Sequence, residues 1–176
     1  MPILLSMNQS YAAKPQSVTM NTSTIKAINN ICYELDVYSF HVCATSLKSD
    51  PRTFTVNLNF LPNLTMDISY NNTGAILIDM QNILQNEKNI KPIGTEFLLL
   101  CTMRLDVALD NIQLAFQIIG KKDSSIITYL YLALREVTKC GEYLKKHGMH
   151  STLERRITTS AQLIQNALDF MVFFGM

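Results

Sequence analysis

The chain has 176 residues, which suits a single domain, and its 48% hydrophobic and 16% charged residues exclude an intrinsically disordered protein. Fifteen basic and fourteen acidic residues leave a net charge of +1, whereas nucleic-acid-binding domains carry a clear basic excess, so we expect no nucleic-acid partner. No apolar run approaches the roughly 18 residues of a transmembrane helix, and we expect no membrane partner either.

The N-terminal residues 1–22 carry an incomplete targeting pattern. Residues 2–5 are apolar and Ala12-Ala13 resembles the vicinity of a signal-peptidase cut, but a basic n-region and an apolar stretch of about 7–15 residues are missing. We therefore interpret residues 1–22 as the remnant of a secretory signal or as a disordered tail, and residues 23–176 as one helical domain.

Two short helical patterns follow. From Ser23 to Leu35, apolar residues recur every three or four positions, which is the spacing of one face of an α-helix. A shorter segment from Tyr38 to Leu47 comes next, and we predict that it folds back as the second arm of a helical hairpin.

A long segment begins at Asp50-Pro51. Aspartate at a helix N-cap accepts from free backbone amides, and proline at the first helical position has no amide to leave unpaired. We expect this segment to run to about Asn89. Pro62 interrupts it, and because an interior proline costs a helix about 3 kcal/mol, we predict two pieces or a bend near Phe60.

Three further helices have marked ends. The first runs from Pro92 to Gly120, and glycine is the residue that most often adopts the left-handed conformation at a helix end. The second starts at Asp123 or Ser124 and stops at the basic run before Gly148. The third opens with Ser151–Glu154, which fits the capping box. No strand periodicity competes, so the sequence predicts an all-α fold, an up-down-up-down four-helix bundle preceded by an N-terminal α-hairpin.

Four cysteines constrain this fold further. Cys101 and Cys140 lie on the inward stripes of consecutive helices and are equidistant from the turn at Gly120, so both would lie about 30 Å from it, at the same height. Cys32 and Cys43 flank the predicted hairpin turn in the same way. We predict disulfides 32–43 and 101–140, with free buried thiols as the alternative. Disulfides imply an oxidising compartment.

Two glycosylation sequons fit that compartment. Asn63-Leu64-Thr65 and Asn71-Asn72-Thr73 match the acceptor pattern, so Asn63 and Asn71 are candidate glycosylation sites. Such triplets also arise by chance in an asparagine-rich chain.

Catalytic and metal-binding patterns give little support for an enzyme. Of the three histidines, His147 and His150 have i, i+3 spacing, but Gly148 between them marks a helix end and no nearby carboxylate or thiolate completes a metal site. Asp106 and Asp110 are spaced i, i+4, which surface helix charges explain. We expect no catalytic residue, no metal and no cofactor.

Several segments together resemble the plant invertase/pectin methylesterase inhibitor domains. The segments are Ile31-Cys32, Cys43 with the following Ser46–Arg52, Ala133–Cys140 with its alanine-leucine pair before the last cysteine, and Ser160–Leu168. The resemblance covers roughly Ser23 to Met171, and the order and spacing of the four cysteines carry most of it.

This resemblance implies a four-helix bundle with an N-terminal α-hairpin and the same two disulfides. It further implies secretion to the plant apoplast or cell wall and non-covalent inhibition of pectin methylesterase or acid invertase, by a protein that is a monomer when free. The sequence departs from the family in a C-x10-C first pair, in Pro62, and in Gly120–Asp123, which stands where invertase inhibitors commonly have Pro-Lys-Phe. The last departure favours pectin methylesterase. The alternative is a secreted binding or storage bundle without inhibitory activity.

Overall fold

The computed structural model describes residues 22–35, 40–86, 92–121, 123–148 and 151–175, and regular structure within them is entirely helical. Six α-helices follow one another: α1 (Thr22–Leu35), α2 (Phe40–Ser49), α3 (Leu61–Asn86), α4 (Pro92–Ile118), α5 (Ser125–Lys146) and α6 (Ser151–Phe173). Two short 3₁₀ turns, Pro51–Phe54 and Leu58–Phe60, join α2 to α3. The predicted all-α class is confirmed.

Helices α3 to α6 form the bundle. Each packs against two others, so that the order around the bundle is α3, α4, α5, α6, with α6 closing back onto α3. The inward stripes predicted from the sequence meet in one core, which includes the fully buried Leu105, Ile112, Leu130, Val137 and Ile164. In this arrangement the α4–α5 pair lies on the opposite side of the bundle from the α3–α6 pair.

The hairpin α1–α2 rests on one end of the bundle. A second core forms there, in which Ile28 and Leu47 of the hairpin pack with Leu61 and Leu64 of α3 and Phe170 of α6. All five side chains are essentially inaccessible to solvent, so apolar burial holds the hairpin against the bundle.

The predicted break near Phe60 is confirmed, although Asp50 starts a shorter element than expected. The Asp50 carboxylate accepts from the Arg52 amide at 2.9 Å and caps the first 3₁₀ turn, not the long helix. Pro62 is the second residue of α3, where its missing amide costs nothing, so α3 is not interrupted by it. The predicted end near Asn89 lies outside the described residues.

Helix ends follow the sequence signals. Gly120 and Gly148 have φ of +85° and +59°, the left-handed region in which glycine is unstrained. The Asp123 carboxylate accepts from the Ser125 amide at 2.9 Å, while Ser124 makes no side-chain cap bond. Helix α6 starts at Ser151 as predicted, but the side chain of that residue, and hence the capping box, lies outside the described part of the chain.

Both cysteine pairs are bonded in the structure. Cys32 of α1 joins Cys43 of α2, with Cα atoms 5.8 Å apart, and Cys101 of α4 joins Cys140 of α5, with Cα atoms 4.9 Å apart. The first bridge ties the hairpin arms together, and the second holds α4 to α5 in the half of the bundle that lies away from the turn between these two helices.

Across the described residues, every helix falls short of the length and hydrophobicity that a membrane span requires. The segment interpreted as a signal remnant or tail lies outside the described residues up to residue 21, and α1 begins at Thr22.

Candidate protein-docking surface

Helix α4 is apolar on its outer face as well as its inner face. Leu99, Met103, Val107 and Leu114 are 50%, 65%, 47% and 40% exposed and follow one another at intervals of four or seven residues. Such spacing places them in a single line along the helix. We call these four residues the α4 stripe. Contiguous exposed apolar surface of this kind marks protein-interaction sites more often than isolated side chains do.

An ionic cluster borders the α4 stripe on its α5 side. Arg104 of α4 donates from Nη1 to Oε2 of Glu136 on α5 at 2.5 Å. Arg135 donates from Nε to Oε1 of the same carboxylate at 3.1 Å, and the Lys139 ammonium lies 3.9 Å from it. One carboxylate thus faces three cations, so the cluster carries surplus positive charge.

Glu136 stays ionised in this setting. Burial raises the pKa of its carboxyl, but the hydrogen bonds from Arg104 and Arg135 and the charge of Lys139 outweigh that effect and hold the pKa below its ordinary value. Glu136 is 7% exposed, whereas the Arg135 and Lys139 side chains are 50% and 42% exposed. Arg135 and Lys139 are therefore accessible to a partner protein, while the Glu136 carboxylate holds them in position.

Aromatic residues continue this face toward the C-terminal end of α5. The Phe97 ring stacks on His147 with centroids 3.7 Å apart and on Tyr143 at 6.3 Å. The Arg104 guanidinium lies over the Tyr143 ring, 5.4 Å from its centroid. His147 is thereby packed against an aromatic ring, and the part of the chain that the structure describes holds no cluster of metal-ligating side chains. His150 lies outside that part.

The outer face of α3, on the far side of the bundle, has a different character. Its exposed residues are five uncharged amides, one alanine and one large apolar residue: Asn71, Ala75, Ile78, Gln81, Asn82, Gln85 and Asn86. Ile78 is 57% exposed, comparable with Met103, but no neighbouring apolar line accompanies it.

A cleft of about 620 Å³ opens where the hairpin meets the bundle. Arg52 lies at its rim and pairs with Asp50 at 2.6 Å and with Asp67 of α3 at 2.6 Å. The Arg52 hydrogen bond is the main reason that the pKa of Asp50 lies below its ordinary value, and burial opposes it. These ion pairs link the first 3₁₀ turn to the bundle.

The residues singled out in the sequence lie on two different sides of the bundle, the α3–α6 side and the α4–α5 side. The two candidate sequon asparagines lie on α3, Asn63 half-buried in the first turn and Asn71 exposed beside the cleft. Asp106 and Asp110 are exposed on α4, next to the α4 stripe, as surface charges.

Neither the α4 stripe nor the ionic cluster was predicted from the sequence. The run Leu98-Leu99-Leu100 held a signal, because three consecutive leucines cannot all face one core.

A helical bundle with an apolar stripe beside an ionic cluster presents the kind of surface by which proteins bind other proteins. A family model of plant invertase/pectin methylesterase inhibitors matches residues 26–170. The match spans most of the chain, so the protein belongs to this family, and its role is that of an enzyme inhibitor and not of a catalyst.

Two solved structures share the fold. A mutant form of a pectin methylesterase inhibitor from Arabidopsis is 19% identical, with a TM-score of 0.70 over 81% of this chain and 93% of that chain. A pectin methylesterase inhibitor from Arabidopsis thaliana is 17% identical, with a TM-score of 0.57 over 85% of this chain and 94% of that chain. At this level of identity the likeness establishes the fold alone. A comparison with curated protein sequences gave no significant match.

Proposed function

We propose that the protein is secreted to the plant cell wall and there inhibits a pectin methylesterase by docking its α4–α5 face onto the enzyme. The observation that carries the proposal is the α4 stripe lying beside the Arg104–Glu136 cluster, on two helices joined by the Cys101–Cys140 bridge. Family membership supplies the class of partner, and the two structural neighbours are inhibitors of pectin methylesterase by name.

The composition of this face supports a tight contact. Protein interfaces have an apolar centre and a polar rim, and a few well-packed residues supply most of the affinity. Met103 and Val107 would form the centre, while Arg135 and Lys139 at the rim would pair with acidic groups of the enzyme. Because the rim cations are exposed, they contribute more to association rate and orientation than to affinity.

Rigidity supports inhibition by steric occupation. A surface that is already in its bound shape loses little conformational entropy on binding, and this raises affinity without adding any contact. The bridge between α4 and α5 and the Arg104–Glu136 pair both cross the helix interface below the proposed docking face. No covalent step is needed, since occupying the substrate cleft is sufficient.

Pectin methylesterase is favoured over acid invertase by the turn between α4 and α5. Gly120–Asp123 stands there in place of the Pro-Lys-Phe triplet common in invertase inhibitors. Gly120, just after α4, has φ of +85°, the left-handed conformation in which glycine ends a helix. We propose in addition that the free inhibitor is a monomer.

A second candidate function is suggested by the cleft between hairpin and bundle. Its volume of about 620 Å³ falls within the roughly 300–1,000 Å³ of small-molecule sites. A secreted binding or storage protein would use this cleft and leave the α4–α5 face unused.

Inhibition assays with both enzymes separate these functions. The purified, oxidised protein is titrated into a pectin methylesterase and, in parallel, into an acid invertase. The proposal expects a dose-dependent loss of esterase activity that saturates near one inhibitor per enzyme, with invertase unaffected. Loss of invertase activity alone would reassign the target. Unchanged rates for both enzymes, with a small molecule retained through purification, would favour the binding or storage protein.

A further inference from the structure

The two sequons occupy different surroundings in the folded chain. Asn63 is half-buried in the first turn of α3, directly between the buried Pro62 and Leu64. Asn71 is exposed in the middle of α3 and lines the cleft between the hairpin and the bundle. Room for a sugar at the amide nitrogen therefore exists at Asn71 and is restricted at Asn63.

We propose that Asn71 carries an N-linked glycan whose first N-acetylglucosamine fills the cleft and braces α2 against the bundle. The inference rests on passage through the secretory pathway, which the proposed function also requires. The cleft is walled by α2 and the first 3₁₀ turn on one side and by α3 and α6 on the other. A sugar in it would contact both the hairpin and the bundle.

Apart from His41 and the paired Asp50 and Arg52, the cleft is lined by apolar and uncharged polar side chains, which suit a neutral sugar. Apolar walls come from Val42, Pro51, Ile68 and Leu163, which suit the carbon face of a pyranose ring. Polar groups on the hairpin side, including Thr45 and Ser49, suit its hydroxyls.

The Asn72 side chain, in the wall of the cleft, carries a buried acceptor. Oδ1 of Asn72, the residue after the proposed attachment site, is inaccessible to solvent and has no hydrogen-bond partner among the residues that the structure describes. Buried polar atoms are nearly always hydrogen-bonded, so an unpaired acceptor marks a place where a donor is expected. The hydroxyl and acetamido groups of N-acetylglucosamine are such donors, and attachment at Asn71 would hold them beside Asn72, whose amide would turn toward the cleft to bring Oδ1 within their reach.

Attachment is a group transfer from a lipid-linked oligosaccharide. Nδ2 of Asn71 forms a bond to the anomeric carbon of N-acetylglucosamine as the bond from that carbon to the donor's pyrophosphate breaks. The amide gives up one proton, and the lipid pyrophosphate leaves with the electron pair. The sequon hydroxyl of Thr73 is occupied in the folded chain, since it donates to the Ser69 carbonyl at 2.8 Å and pairs with the Ser160 hydroxyl at 2.7 Å. Transfer therefore precedes the packing of α3 against α6.

The test uses the full chain, with a cleavable secretory signal attached and expressed in secreting cells that make oligomannose glycans. Wild type, Asn63→Gln, Asn71→Gln and Asn72→Ala are purified from the medium, and the glycans are mapped by peptide mass spectrometry. Endoglycosidase trimming to one sugar then allows hydrogen exchange of the α2 amides to be compared with that of unmodified protein. The added signal makes the result independent of the chain's own secretion.

The proposal expects glycan at Asn71 in wild type, Asn63→Gln and Asn72→Ala. A single residual sugar should slow exchange in α2 by about tenfold, the effect of one buried hydrogen bond on local opening. Asn72→Ala, which keeps the sequon, should lose most of that protection. An unmodified Asn71, or a sugar that leaves α2 exchange unchanged, would overturn it. Inhibition of pectin methylesterase is measured on the same samples and should not depend on the sugar, because the cleft lies on the opposite side from the α4–α5 face.

Discussion

Arg104 and Glu136 are 32 positions apart in sequence, yet a 2.5 Å hydrogen bond joins them across the interface between α4 and α5. The carboxylate is largely buried, and its pKa is held below the ordinary value of 4.5. The pair holds α4 and α5 together, and the same Glu136 carboxylate positions Arg135 and Lys139 on the proposed docking face.

Replacing Glu136 should make the bundle less stable in a pH-dependent way. A carboxyl whose folded pKa is depressed adds stability above its unfolded pKa and loses it as pH falls through the folded value. Glu136→Gln should therefore cost about 2 kcal/mol near pH 7, since Arg104 keeps a charge without a counter-ion. The difference from wild type should shrink below about pH 4.5, measured by denaturant unfolding. The exposed Glu142→Gln on the same helix is the control, and an equal effect there would contradict this role.

The two disulfides should contribute unequally. On the loop-entropy model, the 39-residue separation of Cys101 and Cys140 corresponds to about 4 kcal/mol and the 11-residue separation of Cys32 and Cys43 to about 3 kcal/mol. Replacing Cys101 and Cys140 by alanine should lower the melting temperature of the whole bundle. Replacing Cys32 and Cys43 by alanine should loosen mainly the hairpin. Hydrogen exchange distinguishes these outcomes, and global loosening from the hairpin pair alone would count against the assignment.

Two glycines should respond oppositely to alanine. Gly120 has φ of +85°, so Gly120→Ala should destabilise the bundle by about 1 kcal/mol. Gly74 lies inside α3, and apart from its chain neighbours and its own helix backbone no atom of the described residues lies within 4 Å of the position that an alanine Cβ would take, so Gly74→Ala should stabilise by roughly 0.5–1 kcal/mol. Thermal unfolding of both variants measures the two changes in stability. If both variants were stabilised, or both destabilised, the backbone conformation described for one of the two glycines would be wrong.

Much of the architecture was predictable because its signals are local. Pro92 and Gly120 delimit α4, and equal distances from the turn aligned Cys101 with Cys140. The 3₁₀ turns after Asp50 were not predicted, since an N-cap and a proline specify a start but not the type or length of the helix that follows.

The docking face was harder to predict for a physical reason. Helical periodicity identifies the residues that face the core, and Leu99, Met103 and Val107 lie on the other side of α4. The Arg104–Glu136 contact depends on the register of two helices, which only the assembled bundle fixes.

The most direct measurement compares Met103→Glu with Ile78→Glu in inhibiting a pectin methylesterase. Both side chains are exposed, 65% and 57%, in the middle of long helices, so the substitutions carry similar costs for folding. Met103→Glu should raise the inhibition constant about 30-fold, the effect of losing one central interface residue. Ile78→Glu should leave the constant within about twofold of wild type, since scattered surface residues outside an interface contribute little. Equal inhibition by both variants, or a loss confined to Ile78→Glu, would contradict docking through α4.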